Sequence, residues 1–290
     1  MLGFNGGLIG GPSQYIRQAG VSTLRQGFVT SYDADAADYI RRVEAADQQP
    51  LELEVRAAIA HFVIGCKDDG IWSAIKASCI LVGARTLSGA LIPLVGTAPT
   101  NFNFVAADYN RKTGLIGNAS TKYLDSNRSN SADPQNSAHL ALFVSSAGSI
   151  GSGSSQVYAG VGNQTGSLFS YLAIASFNAF SGFTGISAYN RSETYTSIGP
   201  FDSTGFMGSS RSSSTSYTGR TAVDGNTTAS RTSAAPANHN MTIFAENYQG
   251  TVSRYSNSRI AFYSIGESLD ITLLDARVTT LCKTIGAVIR

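Results

Sequence analysis

The chain has 290 residues and a formal net charge of +2, and only 14% of its residues are charged, against roughly 25% in an ordinary soluble domain. Its Lys and Arg are dispersed rather than gathered in a stripe, which excludes an electrostatic footprint for a nucleic-acid backbone, and no run reaches the ~18 apolar residues of a membrane span. Gly, Ser, Thr and Asn fill the charge deficit, a mix that suits short strands and many turns facing proteins or sugars, while an apolar fraction of 42% suffices for a core.

Residues 1–32 read as an extended, glycine-rich anchoring arm. Gly6-Gly7, Gly10-Gly11 and Pro12 break any helix or central strand. Leu2, Phe4, Leu8 and Ile9 are nevertheless apolar, unlike a disordered tail, so the arm is expected to dock on another surface. MLGFNGGLIGGP has no basic n-region and no long apolar run, and is not read as a signal peptide.

Residues 33–95 read as a small helical domain. Asp33 can cap a helix in which Ala36, Tyr39, Ile40, Val43 and Ala46 recur at three- and four-residue steps. Gln49-Pro50 ends that pattern, and Pro50 suits the first turn of the next helix. There Leu51, Val55, Ala58, Ile59, Phe62 and Cys66 form one apolar stripe, with Glu52 and Arg56 expected to pair on the outer face. Asp68-Asp69-Gly70 reads as the stop. In IWSAIKASCILVGA periodicity leaves helix and strand open, and Trp72 is expected in the core. Cys66, Cys79 and Cys282 are odd in number and widely spaced, which gives neither a disulfide framework nor a metal motif. They are expected to act as small hydrophobes in a reducing compartment, with a Cys66–Cys79 bridge the pairing left open.

From about Gly96 the texture changes, and residues 96–290 read as a β-sandwich with a C-terminal helix. Candidate strands are NFNFVAADY, TKYLDSN, HLALFVSS, QVYAGVG, SLFSYLAIA, TGISAYN, GFMGSSR, SYTGRTAV, MTIFAEN and RIAFYSIG. In HLALFVSS, Leu140, Leu142 and Val144 face one way, and Ala141 and Phe143 the other. In MTIFAEN, Met241, Ile243 and Ala245 alternate with Phe244 and polar neighbours, as in strands half-buried between two sheets. Asp224-Gly225 marks a tight hairpin, which needs positive φ. The Ser- and Thr-crowded stretch from Asp202 to Ala235 carries Phe206, Met207, Tyr217 and Val223 at strand spacing and reads as exposed strands. The chain ends in a helix capped by Ser268 or Asp270, with Asp275 and Lys283 placed to complement its dipole. Its seam of Ile271, Leu274, Val278, Leu281 and Ile285 either packs on the sandwich or joins like helices in an oligomer. The expected fold class is α+β: an extended arm and small helical domain, then an antiparallel β-sandwich jelly roll closed by a C-terminal helix.

The closing segment, with Ile265-Gly266, Leu269, Leu274 and Leu281, resembles the last strand and trailing helix of the laminin-G-like, concanavalin A-like domains of tailed-phage virion proteins. Gly114-Leu115, Gly117, Thr121, Tyr123 and Leu124 are similar to that family's first-strand pattern, and Val223-Asp224-Gly225 to its central hairpin. FNGGLIG (Phe4 to Gly10) looks like the opening of phage tail and fibre proteins, and GIWSAIKASCILVGARTLSGALIPLVG like a domain that precedes such sandwiches. The resemblance implies a virion component, made in the host cytoplasm, often homotrimeric in fibres. Its arm would bind other virion proteins and its sandwich would face outward. The function expected is a tail fibre or minor tail component that recognises a host-surface glycan or protein. The alternative is a capsid decoration or cementing protein with a purely architectural role.

Motifs of chemistry are sparse. A glycosidase of the usual kind needs two flanking carboxylates. Of the glutamates Glu44, Glu52, Glu54, Glu193, Glu246 and Glu267, only Glu52 and Glu54 are two apart, and they fall on a helix. His61, His139 and His239 lack ligand spacing, and no GxSxG, P-loop or Rossmann fingerprint occurs. GVGNQTG (Gly160 to Gly166) reads only as a glycine-rich turn. The expectation is a chain that is no enzyme and holds no cofactor. Asp108 with Asn110, or Asp125 with Asn127, offers oxygens for calcium, yet such pairs are common turn formers. A sugar site would combine aromatics with amides and arginine, and Tyr189, Asn190, Arg191, Tyr195, Asn247, Tyr248 and Tyr255 have that composition near strand ends. The competing reading buries these tyrosines in the sandwich or in subunit contacts.

Overall fold

The computed structural model describes residues 33–290; the arm expected over residues 1–32, with Leu2, Phe4, Leu8 and Ile9, lies outside them. Helix α1 (Ala34–Asp47) starts where Asp33 accepts from the Asp35 N–H. Helix α2 (Leu53–Asp68) begins later than Pro50 suggested, with Glu52 as its extended N-cap. That backbone carries Glu52 off the helical path, so the expected Glu52–Arg56 pair does not form. Glu52 instead meets Arg85 and Arg111 at 3.1 and 2.7 Å, and Arg56 meets Glu44 at 2.7 Å. The ambiguous stretch after Gly70 becomes a short 3-10 turn, Trp72–Ala74, and then a strand, Ile75–Ile80 (β1). Trp72 is half-buried, with the Lys67 ammonium 5.7 Å from its ring centroid. A single-turn helix, Leu87–Ala90 (α3), follows.

With strands numbered in chain order, the rest forms two stacked, mostly antiparallel sheets. The first runs Gly225–Ser230 (β13), Ser216–Thr221 (β12), Gly205–Arg211 (β11), Ala138–Ser146 (β6), Arg259–Gly266 (β17), Gly114–Ile116 (β4) and Tyr109–Asn110 (β3). Strand β1 pairs with β17 alongside β4. The second sheet runs Thr196–Gly199 (β10), Phe183–Ser192 (β9), Leu168–Phe180 (β8), Ser154–Thr165 (β7), Asn240–Ile243 (β14), Tyr123–Ser129 (β5) and Thr100–Phe102 (β2). Glu246–Tyr248 (β15) lies parallel to β7 and pairs with Thr251–Ser253 (β16).

The alternation in β6 explains how the layers stack. Leu140, Leu142 and Val144 enter the core between the sheets with Tyr158, Ile174 and Ile186. Ala141 and Phe143 turn the other way, into a second core shared with the helices. Helix α4 (Ile271–Val288) is capped by Asp270, which accepts from the Thr272 and Leu273 N–H groups. Its seam of Ile271, Leu274, Val278, Leu281 and Ile285 is buried against α2 and the first sheet, so of the two fates open to it the seam packs within the chain. Asp275 pairs with Arg220 of β12 at 2.8 Å rather than serving only the helix dipole. Residues 33–95 lend β1 to the first sheet and share one core with α4, Ala141, Phe206, Ala261 and Phe262. The helices are thus an outer layer on that sheet.

Asp224-Gly225 makes the hairpin its sequence implies: Gly225 has φ +73°, and Thr221 stands opposite it across β12 and β13. The stretch from Asp202 to Ala235 holds β11 to β13. All three cysteines are buried free thiols, so no Cys66–Cys79 bridge forms. Burial pushes the Cys66 and Cys79 thiols up to about 12.

His139 is wholly buried, its ring nitrogens 2.6 Å from the Glu267 carbonyl and 2.7 Å from the Ser264 hydroxyl. Burial lowers its pKa from 6.5 to about 4. Above pH ~6.5 the imidazole is neutral whether the chain is folded or not. As pH falls from there towards 4, only the unfolded chain takes up the proton, and stability drops by about 3 kcal/mol. Denaturant midpoints at pH 7 and pH 4.5 should therefore differ more in the wild type than in His139→Gln, and equal differences would refute the assignment.

Candidate functional site

The helices cover the first sheet, and the second presents its outer face through the long meander β7–β8–β9. The period-two geometry of β8 puts Phe169, Tyr171, Ala173, Ala175 and Phe177 on that face. Val157, Ala173, Ala175 and Phe177 form a small buried cluster there, with Phe183 and Tyr189 packed against it. Around it the rings make a continuous ladder. Tyr171 lies 6.2 Å from Phe169, 5.9 Å from Tyr248 and 5.1 Å from Tyr189. Tyr189 is 5.7 Å from Tyr195, which reaches Phe177 at 5.5 Å and Phe183 at 5.1 Å.

Glycine makes this possible at one position above all. A Cβ on Gly162 would stand 2.5 Å from the Tyr171 ring and 2.9 Å from the Tyr248 ring, so both rings lie over bare backbone. Gly162→Val is expected to displace them. The near-ultraviolet circular dichroism of the tyrosines should fall while the far-ultraviolet spectrum stays, and an unchanged near-ultraviolet signal would contradict the packing.

One ion pair sits among the rings. The register of β15 on β7 sets Glu246 opposite Gly160, and its carboxylate is buried. Arg254 donates to Glu246 Oε2 at 3.1 Å and to Ser155 Oγ at 3.3 Å, with its guanidinium 5.7 Å from the Phe177 centroid. Burial, aided by the Glu246 charge, pushes the Tyr171 phenol up to about 12, and burial raises Tyr189 as well. Both phenols therefore stay protonated and able to donate. Half-exposed rings, protonated hydroxyls and a guanidinium together can stack on an apolar C–H face and hydrogen-bond to hydroxyl groups.

Of the residues expected to contact sugar, the fold brings Tyr189, Tyr195 and Tyr248 into this ladder. Three others are corrected. Asn190 points between the sheets, donating to the Ala138 carbonyl at 3.2 Å and to Ser209 Oγ at 3.1 Å. Arg191 is wholly buried, donating to Asn130 Oδ1 at 3.1 Å and to the carbonyls of Asn130, Pro134 and Ser137. Asn247 is buried and donates to the Asn240 carbonyl at 3.0 Å. The cause for Asn190 and Asn247 is the strand period, which turns the neighbour of an outward tyrosine inward. Tyr255 belongs to a separate group, 6.1 Å from Tyr123, on which Phe102 stacks at 4.3 Å. Sequence reading missed Phe169, Tyr171, Phe177, Phe183, Glu246 and Arg254. The even spacing of Phe169, Tyr171 and Phe177 was a usable signal, whereas nothing local marked Arg254.

The oxygens considered for calcium are engaged elsewhere. Asp108 meets Lys122 at 2.5 Å, Asn110 caps its own turn at Lys112 and Thr113, and Asp125 accepts from the Asn127 N–H at 2.8 Å. Among the described residues no group of three or more His, Cys, Asp or Glu side chains comes together to hold a metal.

No protein-family model matches the chain, and no curated protein sequence does. Solved structures do resemble it distantly. The NanB sialidase of Streptococcus pneumoniae is 13% identical over 57% of this chain and 27% of its own, with a TM-score of 0.39. Tailspike protein 2 of an Escherichia coli O157:H7 bacteriophage is 12% identical over 60% of this chain and 25% of its own, at 0.36. A Trypanosoma rangeli sialidase is 12% identical over 80% of this chain and 40% of its own, at 0.41. The chain spans well under half the length of each, and likenesses this slight assign it to no family. They do correct one expectation. The neighbours are sialidases and a tailspike described through its enzymatically active domain, so the reading of the chain as no enzyme is withdrawn. That reading was also too narrow physically: folding joins carboxylates far apart in sequence, and sialidases employ a tyrosine nucleophile that a search for paired carboxylates passes over.

Proposed function

We propose that the chain is a phage virion protein, a tail fibre or minor tail component, whose concanavalin A-like, laminin-G-like sandwich meets a host-surface glycan on the outer face of its second sheet. The observation that carries this reading is the aromatic ladder from Phe169 through Tyr171, Tyr189 and Tyr195 to Phe177, with the Arg254–Glu246 pair set among its rings. Phe169, Tyr171, Tyr189 and Tyr195 are partly open to solvent while Phe177 is buried beneath them, and these partly exposed rings offer apolar area at little conformational cost. Polar groups between them fix orientation. The helical layer lies on the opposite side of the sandwich from this face; attachment to the particle through residues 1–32 and assembly of a homotrimer in the virion are part of the same proposal.

The test is adherence. Purified protein is mixed with host cells and with their surface polysaccharide, and release of reducing sugar is followed in the same samples. Saturable binding to the polysaccharide supports the reading. Failure to bind, together with particles that fall apart when the protein is missing, would replace it with the cementing role.

A further inference from the structure

We infer that this face binds a linear polysaccharide along several consecutive sugar units rather than a single terminal sugar, an inference that rests on the glycan reading above. The argument is one of shape. Four centroid steps lead from Phe169 to Phe177 and bound the row at about 22 Å, with aromatic rings at both ends and in the middle. Successive centroids stand 5.1 to 6.2 Å apart with no break from Phe169 to Phe177, and Phe180 extends the row by a further 5.9 Å.

The floor under the rings is low throughout. Gly160, Gly162, Ala173, Ala175 and Gly185 lie along β7, β8 and β9, and a Cβ on Gly160 would already meet Ala173 and Val157 at 2.9 Å. A pocket for one terminal sugar needs walls on several sides. Here tall residues stand in a file over small ones, which makes a track. An ion pair sits near one region of that track, where Arg254 meets Phe177 and Glu246. It therefore sets the register of a chain that the rings hold by repetition, each unit adding contact area at an already ordered surface.

The experiment titrates the full chain with fragments of host surface polysaccharide, sized to about two, four and eight sugar rings, alongside the intact polymer. Affinity is expected to rise by about tenfold or more between the shortest fragment and the eight-ring one, as stacking increments accumulate. Phe169→Ala, at one end of the row, should weaken the eight-ring fragment several-fold and the two-ring fragment much less. Phe169→Leu keeps apolar bulk without the flat ring, and should behave alike if stacking is the cause. Equal affinity for two-ring and eight-ring fragments would overturn the track while leaving the glycan reading intact. Absence of binding to every fragment and to the polymer, by protein with an unchanged melting profile, would overturn both.

Discussion

Arg191→Ala is expected to destabilise the protein by about 4 kcal/mol, because each buried carbonyl left without a donor costs about 1–3 kcal/mol. Arg191 is wholly buried, and its guanidinium serves Asn130 Oδ1 and three main-chain carbonyls around the 3-10 turn Asn130–Ala132 and Pro134. Among the described residues no carboxylate bonds to it, and burial lowers its pKa to about 10. The side chain thus acts as a donor that closes a loop other donors cannot reach. Lysine in its place keeps the charge but not the fork, and should recover only part of the loss. The measurement is the denaturant midpoint of Arg191→Ala and Arg191→Lys. A variant of normal stability that had lost polysaccharide binding would return Arg191 to the contact role its composition first suggested.

The double change Tyr171→Ala with Tyr189→Ala is expected to reduce polysaccharide affinity about thirtyfold. Each ring contributes on the order of 1 kcal/mol in stacking beyond its buried area, and the loss of both opens a gap in the row. Both tyrosines are half-buried, so some stability is lost as well, and the melting profile must be read with the binding curve. Tyr255→Ala is the control. Its ring packs with Tyr123 away from the ladder, and it should leave affinity unchanged. Equal losses from Tyr255→Ala and from the double variant would mean that binding follows general stability and not this face.

How much of this was legible beforehand varied by element. The β6 alternation was readable, Leu140 against Ala141 dividing its two faces, but it read as a half-buried strand, and only the helical layer packed on Ala141 and Phe143 buries the second face. The Asp224-Gly225 turn was readable because positive φ restricts the residue to a short list. Strand β10 (Thr196–Gly199) was not, since four residues with a polar start carry no periodic signal. The candidate site was half legible. Tyr189, Tyr195 and Tyr248 were singled out for their chemistry and do converge, but Asn190, Arg191 and Asn247 shared the same local composition and face inward. Composition near a strand end does not say which face a residue takes until the register is set.

The sequence by itself determined most of the strands, the Asp224-Gly225 turn, the helix seams and the low charge, because these rest on neighbours two, three or four residues away. Only the tertiary structure decided which surfaces remain open. The α4 seam is spent on α2 and the first sheet, β1 joins a sheet instead of a helical unit, and residues from Ser155 to Arg254 meet on one face. The reason is physical: burial is a property of what lies across the layer, and contacts between residues a hundred positions apart are set by sheet order and register, which no local pattern encodes.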